Sequence, residues 1–269
     1  MRPFLIAVQF LTRVPIHLKS IPSEKEIAHS QLYYPLVGLL IGIVLVALAW
    51  LLRDAPAMLS AVIVLTSWVL ISGGLHLDGL ADSADAWAGG LGDRDKTLAI
   101  MKDPNCGPAG VVSIVLLLLI KFAALHALFE ASASASLMTL LETSLADWLV
   151  AAPLVSQSLL ALLLAPMLAR TLAPLLFLTT PYIRQNGLGS ALVVALPRRA
   201  IVGIIAVVVF SVLWLGASTG LWLLLTAIFI FVLLRRLMMQ RIGGATGDVT
   251  GALIEIAEAS ILLCAVLAL

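Results

Sequence analysis

The chain has 269 residues, of which 62% are hydrophobic and only 12% charged. A water-soluble domain carries about 25% charged residues, so a soluble globule is excluded, and a formal net charge of +1 gives no electrostatic footprint for nucleic acid. Two cysteines, Cys106 and Cys264, are too few for a disulfide framework and match no metal-ligand spacing.

The length is best spent on membrane spans of about 20 residues each. The N-terminal stretch MRPFLIAVQFLTRVP is interrupted by Gln9 and Arg13 and has no small-residue cleavage site. It predicts an interfacial helix rather than a signal peptide. Apolar runs at 35–52, 56–72, 110–129, 142–165, 199–216, 218–234 and 250–269 predict seven spans. The piece from Pro166 to Pro181 is short and contains Arg170 and Pro174, and reads as re-entrant or interfacial. The expected architecture is an all-α polytopic transmembrane bundle forming a single domain over 1–269. Within it lie an interfacial segment at 1–34, an acidic cytoplasmic-side loop at 73–109 and a second motif at 235–258. With the N-terminus inside, 14 of the 16 basic residues, Lys19 and Arg170 among them, fall on the cytoplasmic side.

The stretch GGLHLDGLADSADAWAGGLGDRDKTLAIMKDPNCGPAG holds six aspartates. Asp78, Asp82 and Asp85 follow an i, i+4, i+7 pattern that gathers them within an arc of about 60° on a helix. At about 6 Å and an effective dielectric near 20, each carboxylate pair repels by roughly 2–3 kcal/mol. A divalent cation would offset that repulsion, and oxygen-only ligands select Mg²⁺, Mn²⁺ or Ca²⁺ over zinc. The competing reading is a solvated acidic face. Against it, Leu75, Leu77, Leu80 and Trp87 interleave with the aspartates, so one side must bury. Gly89-Gly90-Leu91-Gly92 leaves backbone N–H groups open to an anion, and Arg94, Lys96 and Lys102 follow. The plain alternative for those cations is positive-inside decoration.

The second motif is RIGGATGDVTGALIEIAEAS. Gly243, Gly247 and Gly251 form a small-residue ridge suited to helix packing and self-association. Asp248 and Glu255 share a helix face, and acidic groups inside a span are functional candidates; Asp248 also reads as a helix cap, with the Thr246 hydroxyl beside it. Gly38 and Gly42 read as packing. Glu26 precedes the first span within reach of a metal. His76 reads as a base or as a hydrogen-bonded structural residue. Lys121 sits mid-span and is expected to face the bundle, near Asp147 or the anionic site.

GGLHLDGLADSADAW, IMKDPNCGPAG and GGATGDVTGA together resemble the cobalamin synthase family, the adenosylcobinamide-GDP ribazoletransferases or cobalamin-5′-phosphate synthases, and the similarity runs from end to end. The resemblance implies an inner-membrane transferase that joins adenosylcobinamide-GDP to α-ribazole, or to α-ribazole 5′-phosphate, with release of GMP and with Mg²⁺ as its metal. On that reading Asp78, Asp82, Asp85 and Asp248, with Glu26, are the metal ligands. Asp82 or Asp85 takes the hydroxyl proton, and His76, Arg94, Lys102, Arg241 and Thr246 bind substrate. Three rivals share parts of the pattern. A CDP-alcohol phosphotransferase-like lipid synthase would need D-x-x-D-G-x-x-A-R, and DGLADSAD lacks its arginine. A metal-ion transporter would place carboxylates at mid-bilayer in repeated or broken spans, and no internal repeat is evident. A prenyltransferase would need a second aspartate-rich repeat.

Overall fold

The computed structural model describes residues 1–18, 20–142, 157–184 and 189–268. Lys19 and Asp147 lie outside them. The described residues are helical, with one isolated parallel bridge between Tyr182 and Ala245. In chain order the helices are α1 (Arg2–Leu11), α2 (Glu24–Ser30), α3 (Tyr34–Leu51), α4 (Ala57–Ser72), α5 (Leu75–Gly90), α6 (Arg94–Ile100), α7 (Pro108–Glu142), α8 (Gln157–Thr179) and α9 (Ser190–Val194). Arg198–Arg241 is helical throughout, yet a Cβ on Gly220 would press on the carbonyl of Val212, eight residues earlier. A straight helix advances about 12 Å over eight residues, so the chain doubles back here. It makes two spans, α10 (Arg198–Gly216) and α11 (Ser218–Arg241). The last helix is α12 (Gly247–Leu267).

Among the described residues six helices are long and apolar enough to cross a membrane, and seven if α4 and α5 count as one bent span. These helices mark an integral membrane protein. The bend between α4 and α5 is 86°. Gly73 and Gly74 make it, at φ +67° and +70°, a conformation open to glycine. α5 therefore runs across one end of the bundle instead of through it. This end also holds α1, α6 and the start of α12.

The re-entrant reading of 166–181 is corrected. Residues 166–179 form the second half of α8, whose Leu159–Thr179 stretch is the most buried of the spans among the described residues. Pro166 and Pro174 lie inside that helix, where neighbouring helices in a membrane compensate the lost backbone bonds. The first half of the predicted 142–165 span falls largely outside the described residues. Arg170 is fully buried, so it leaves the positive-inside tally. Its Nη1 donates to Glu258 Oε1 at 2.5 Å. Lys121 Nζ, on α7, donates to Glu255 and Glu258 at 2.6 Å each and lies 4.9 Å from the centroid of the Trp68 ring. This network joins α4, α7, α8 and α12 inside the bundle, and its two cations balance two carboxylates. The packing role of Gly38 and Gly42 is seen directly: each lets α3 reach the α8 backbone, at Pro166–Met167 and at Leu163.

Candidate active site

α5 carries the acidic face, and its glycines and alanines decide what that face meets. A Cβ on Gly79 would lie 2.6 Å from the Asp248 carbonyl oxygen, and one on Gly251 would lie 3.1 Å from His76 Cα. The helices α5 and α12 thus cross with their backbones nearly touching, which sets Asp78 and Asp82 beside Asp248. Of the predicted ridge only Gly251 makes this kind of contact. Gly243 sits in the preceding turn at φ +75°, and Gly247 meets no neighbour within 4 Å.

Gly79→Ala is expected to force the two helices apart, at about 1–3 kcal/mol of overpacking. An associated displacement of the carboxylates near 1 Å should lower kcat about 100-fold. Thermal unfolding and steady-state kinetics on the same preparation check both effects.

The six aspartates of the acidic stretch separate into distinct roles. Asp93 caps α6 by accepting from the N–H groups of Asp95 and Lys96 at 2.9 and 3.0 Å. Asp103 accepts from the backbone and side chain of Asn105 at 3.0 and 2.7 Å, which holds its carboxyl below the usual range. Asp95 pairs loosely with Arg94 at 3.5 Å. Asp85 accepts from Gly107 N–H at 2.7 Å and Gly110 N–H at 2.9 Å, so both of its oxygens cap the start of α7. The carboxylates of Asp78 and Asp82 make no hydrogen bond or ion pair among the described residues. Burial pushes Asp82 up to about 6, and the charges of Asp78, Asp248 and Asp85 push the same way, with Arg184 opposing.

Asp248 stands in the first turn of α12. Its Oδ2 accepts from Arg184 Nη1 at 2.9 Å and from Thr246 Oγ1 at 3.3 Å. Thr246 is the N-cap of α12, and its hydroxyl accepts from Val249 N–H. The Arg184 segment is anchored to the same motif. Ile183 N–H donates to Ala245 carbonyl at 3.0 Å, and Ala245 N–H to Pro181 carbonyl at 2.8 Å.

Two cavities flank this pair. One, about 360 Å³, is lined by Phe10, Tyr34, Phe177 and Ile254, with His76 and Asp78 on its wall. The other, about 250 Å³, is lined by Met101, Lys102, Ile183 and Thr246. Arg184 and Asp248 border both.

The remaining predicted residues lie as follows. Lys102 is exposed on the wall of the smaller cavity. Arg94 Nε donates to the Ile242 carbonyl at 2.9 Å, tying α6 to the turn before α12. Arg241 is exposed in the last turn of α11 and borders neither cavity. Glu26 is engaged elsewhere. It forms a capping box with Ser23 and pairs with Arg2 at 3.2 Å. His76 is buried, and its Nδ1 has no hydrogen-bond partner among the described residues. The glycine run packs α5 onto α6, with Gly89 against Ile100 and Gly90 against Thr97.

Sequence reasoning passed over Arg184. Its only signal was an isolated cation in the polar stretch TTPYIRQNG after an apolar helix.

The donor set suits a hard cation. No three His, Cys, Asp or Glu side chains among the described residues form a ready-made metal cage. Mg²⁺ does not require one, because it is usually held by one or two carboxylates together with substrate phosphates and water. Asp78 and Asp82, unpartnered, and Asp248 fit that shared mode.

Residues 3–266 match the family described as cobalamin-5-phosphate synthase. The chain is 48% identical over 263 residues to the adenosylcobinamide-GDP ribazoletransferases of Pseudomonas fluorescens (strain Pf-5) and Pseudomonas putida (strain GB-1). It is equally similar over 264 residues to that of Ectopseudomonas mendocina. In each case 98% of both chains is covered. No solved structure matches the chain. A match along essentially the whole length, carrying both motifs, places this chain in the cobalamin-5-phosphate synthase family.

Proposed function

We propose that this chain is a membrane ribazoletransferase. It joins adenosylcobinamide-GDP to α-ribazole or its 5′-phosphate, releasing GMP and forming adenosylcobalamin or its 5′-phosphate. The observation that carries the reading is that Arg184 and Asp248 form a wall shared by two cavities, with Asp78 on the larger one and Asp82 next along the same helix face. An acceptor and a diphosphate can be brought together there.

In the reaction, the acceptor's ribose hydroxyl oxygen attacks the phosphorus that bears the cobinamide arm. The new P–O bond forms as the bond from that phosphorus to the GMP oxygen breaks. The hydroxyl proton passes to a carboxylate, and GMP leaves as the phosphate monoester. Phosphoryl transfer of this kind depends mostly on positioning and on neutralising charge. Arg184 and Lys102 face the smaller cavity, where they can hold phosphate oxygens. Asp82 is the better proton acceptor of the two predicted, because both oxygens of Asp85 already accept backbone N–H bonds. Asp78, Asp82 and Asp248 would hold Mg²⁺, which when bound supplies Lewis-acid neutralisation of the diphosphate. Arg94 acts on the site through the turn before α12.

The bias of basic residues supports a bacterial inner-membrane protein with this end of the bundle in the cytoplasm. Nothing observed favours a lipid synthase or an ion transporter.

The test uses purified protein in lipid vesicles, given adenosylcobinamide-GDP, α-ribazole and Mg²⁺. GMP and the joined corrinoid should appear in equal amounts, and chelation should stop both. Absence of GMP with either acceptor, or metal flux across the vesicle without GMP, would overturn the proposal.

A further inference from the structure

The two cavities on either side of Arg184 and Asp248 differ in chemistry, and the difference says which substrate each takes. This inference rests on the transferase reading above. We infer that the larger cavity seats the aromatic base of the acceptor nucleoside, and that the smaller one takes the diphosphate end of the corrinoid nucleotide.

Size comes first. At about 360 Å³ the larger cavity lies near the bottom of the range that drug-sized ligands fill, about 300–1,000 Å³. A nucleoside fits. A corrin ring carrying an adenosyl group is several times too large and must stay outside.

Wall chemistry comes next. Phe10 stacks on Tyr34 with centroids 6.2 Å apart and planes at 16°. Phe177 meets Tyr182 edge-on at 5.9 Å. Leu11 and Ala173 continue the apolar lining. Guanine carries donors and acceptors around its edge, and seated among Phe10, Leu11, Ala173 and Phe177 most of them would be left unsatisfied at substantial cost. Dimethylbenzimidazole is a flat hydrocarbon surface with two methyl groups. Once joined to ribose it keeps a single free ring nitrogen, an acceptor. His76, 4% exposed on the same cavity wall, has one buried ring nitrogen without a partner. That nitrogen has no surface open to the cavity, so the ring contributes to the wall by its shape.

The polar end of the cavity completes the fit. Asp78, Arg184 and Asp248 stand there. With the base among the aromatic side chains, the ribose is directed toward the carboxylates, and its attacking hydroxyl arrives at the wall shared with the diphosphate. The specificity for the acceptor base thus resides in Phe10, Tyr34, Phe177 and Ala173, apart from the metal ligands.

Two variants of the full-length protein in vesicles test this, each assayed with α-ribazole and with the riboside of unsubstituted benzimidazole. Ala173→Val narrows the cavity by roughly the volume of the lost methyl groups. It should raise KM for α-ribazole about tenfold while favouring the smaller riboside, because one methyl-sized change in an apolar pocket alters selectivity by 10-fold or more. KM for adenosylcobinamide-GDP should stay within about twofold. Phe10→Ala, at a partly exposed position that tolerates truncation, should raise KM for both ribosides and again leave the corrinoid nucleotide unaffected. A rise in KM for adenosylcobinamide-GDP instead, or an equal rise for all substrates with no change of base preference, would overturn the assignment while wild-type turnover keeps the transferase reading intact. Failure of the wild-type protein to release GMP would overturn both.

Discussion

Asp82→Asn is expected to lower kcat about 10³-fold while leaving a folded protein that, without metal, melts at a higher temperature than wild type at pH 7. The activity loss follows from removing one of two carboxylates that have no other partner. A metal that neutralises a transferring phosphoryl group contributes several kcal/mol, and about 4 kcal/mol corresponds to 10³ in rate. The stability gain follows from the same crowding. Burial, then Asp78, Asp248 and Asp85, push the Asp82 carboxyl up to about 6, well above an ordinary aspartate. An acid whose folded-state pKa is raised favours the folded state when protonated. The metal-free wild type should therefore gain stability as pH falls from about 6 toward 4, and lose it as pH rises back through 6. The asparagine variant should show much less of this dependence. Protons and metal compete for the same oxygens, so the Mg²⁺ concentration for half-maximal activity should climb below pH 6 in wild type. Thermal scans across pH 4–8, with and without Mg²⁺, read all of these effects.

Glu258→Gln is expected to cost about 3–5 kcal/mol of stability, the usual result of breaking a buried ion pair from one side. Glu258 accepts from both Lys121 and Arg170, and it has no exposed surface. Without its charge, Arg170 keeps only the Pro166 carbonyl at 3.2 Å, inside a fully enclosed site. Arg170→Met in the same chain should recover a good part of the loss, because the stranded cation is then gone. Denaturant or thermal unfolding in micelles measures the single and double variants. A single-variant loss below about 1 kcal/mol would show that these charges are solvated.

The outline of the bundle was legible because apolar runs of span length have few other uses. The short interruption around Gly216–Gly220 rightly divided one long helix into a hairpin. The i, i+4, i+7 spacing likewise revealed that Asp78 and Asp82 share a helical face. The stretch nevertheless read as a loop because of its many glycines, and two of those glycines turn out to pack one short helix on another. Arg170 misled for a different reason. An arginine between two prolines looks like the end of an apolar segment unless its carboxylate is known, and Glu258 lies 88 residues further on. Asp85 lies on the expected arc, but its oxygens are claimed by the start of α7, a tertiary contact that helix periodicity does not encode. Arg184 shows the same limit. A tertiary contact, the bridge between Tyr182 and Ala245, brings it to Asp248.

Asp78, Asp82 and Asp248 should hold a divalent cation jointly with the substrate diphosphate. Electron paramagnetic resonance of Mn²⁺ bound in place of Mg²⁺ tests it most directly. The purified protein should bind Mn²⁺ weakly alone and tightly with adenosylcobinamide-GDP, with hyperfine coupling to phosphorus, and Asp82→Asn or Asp248→Asn should abolish that signal. Mn²⁺ binding that is unchanged in both variants, or that shows no phosphorus coupling when substrate is present, would contradict the account.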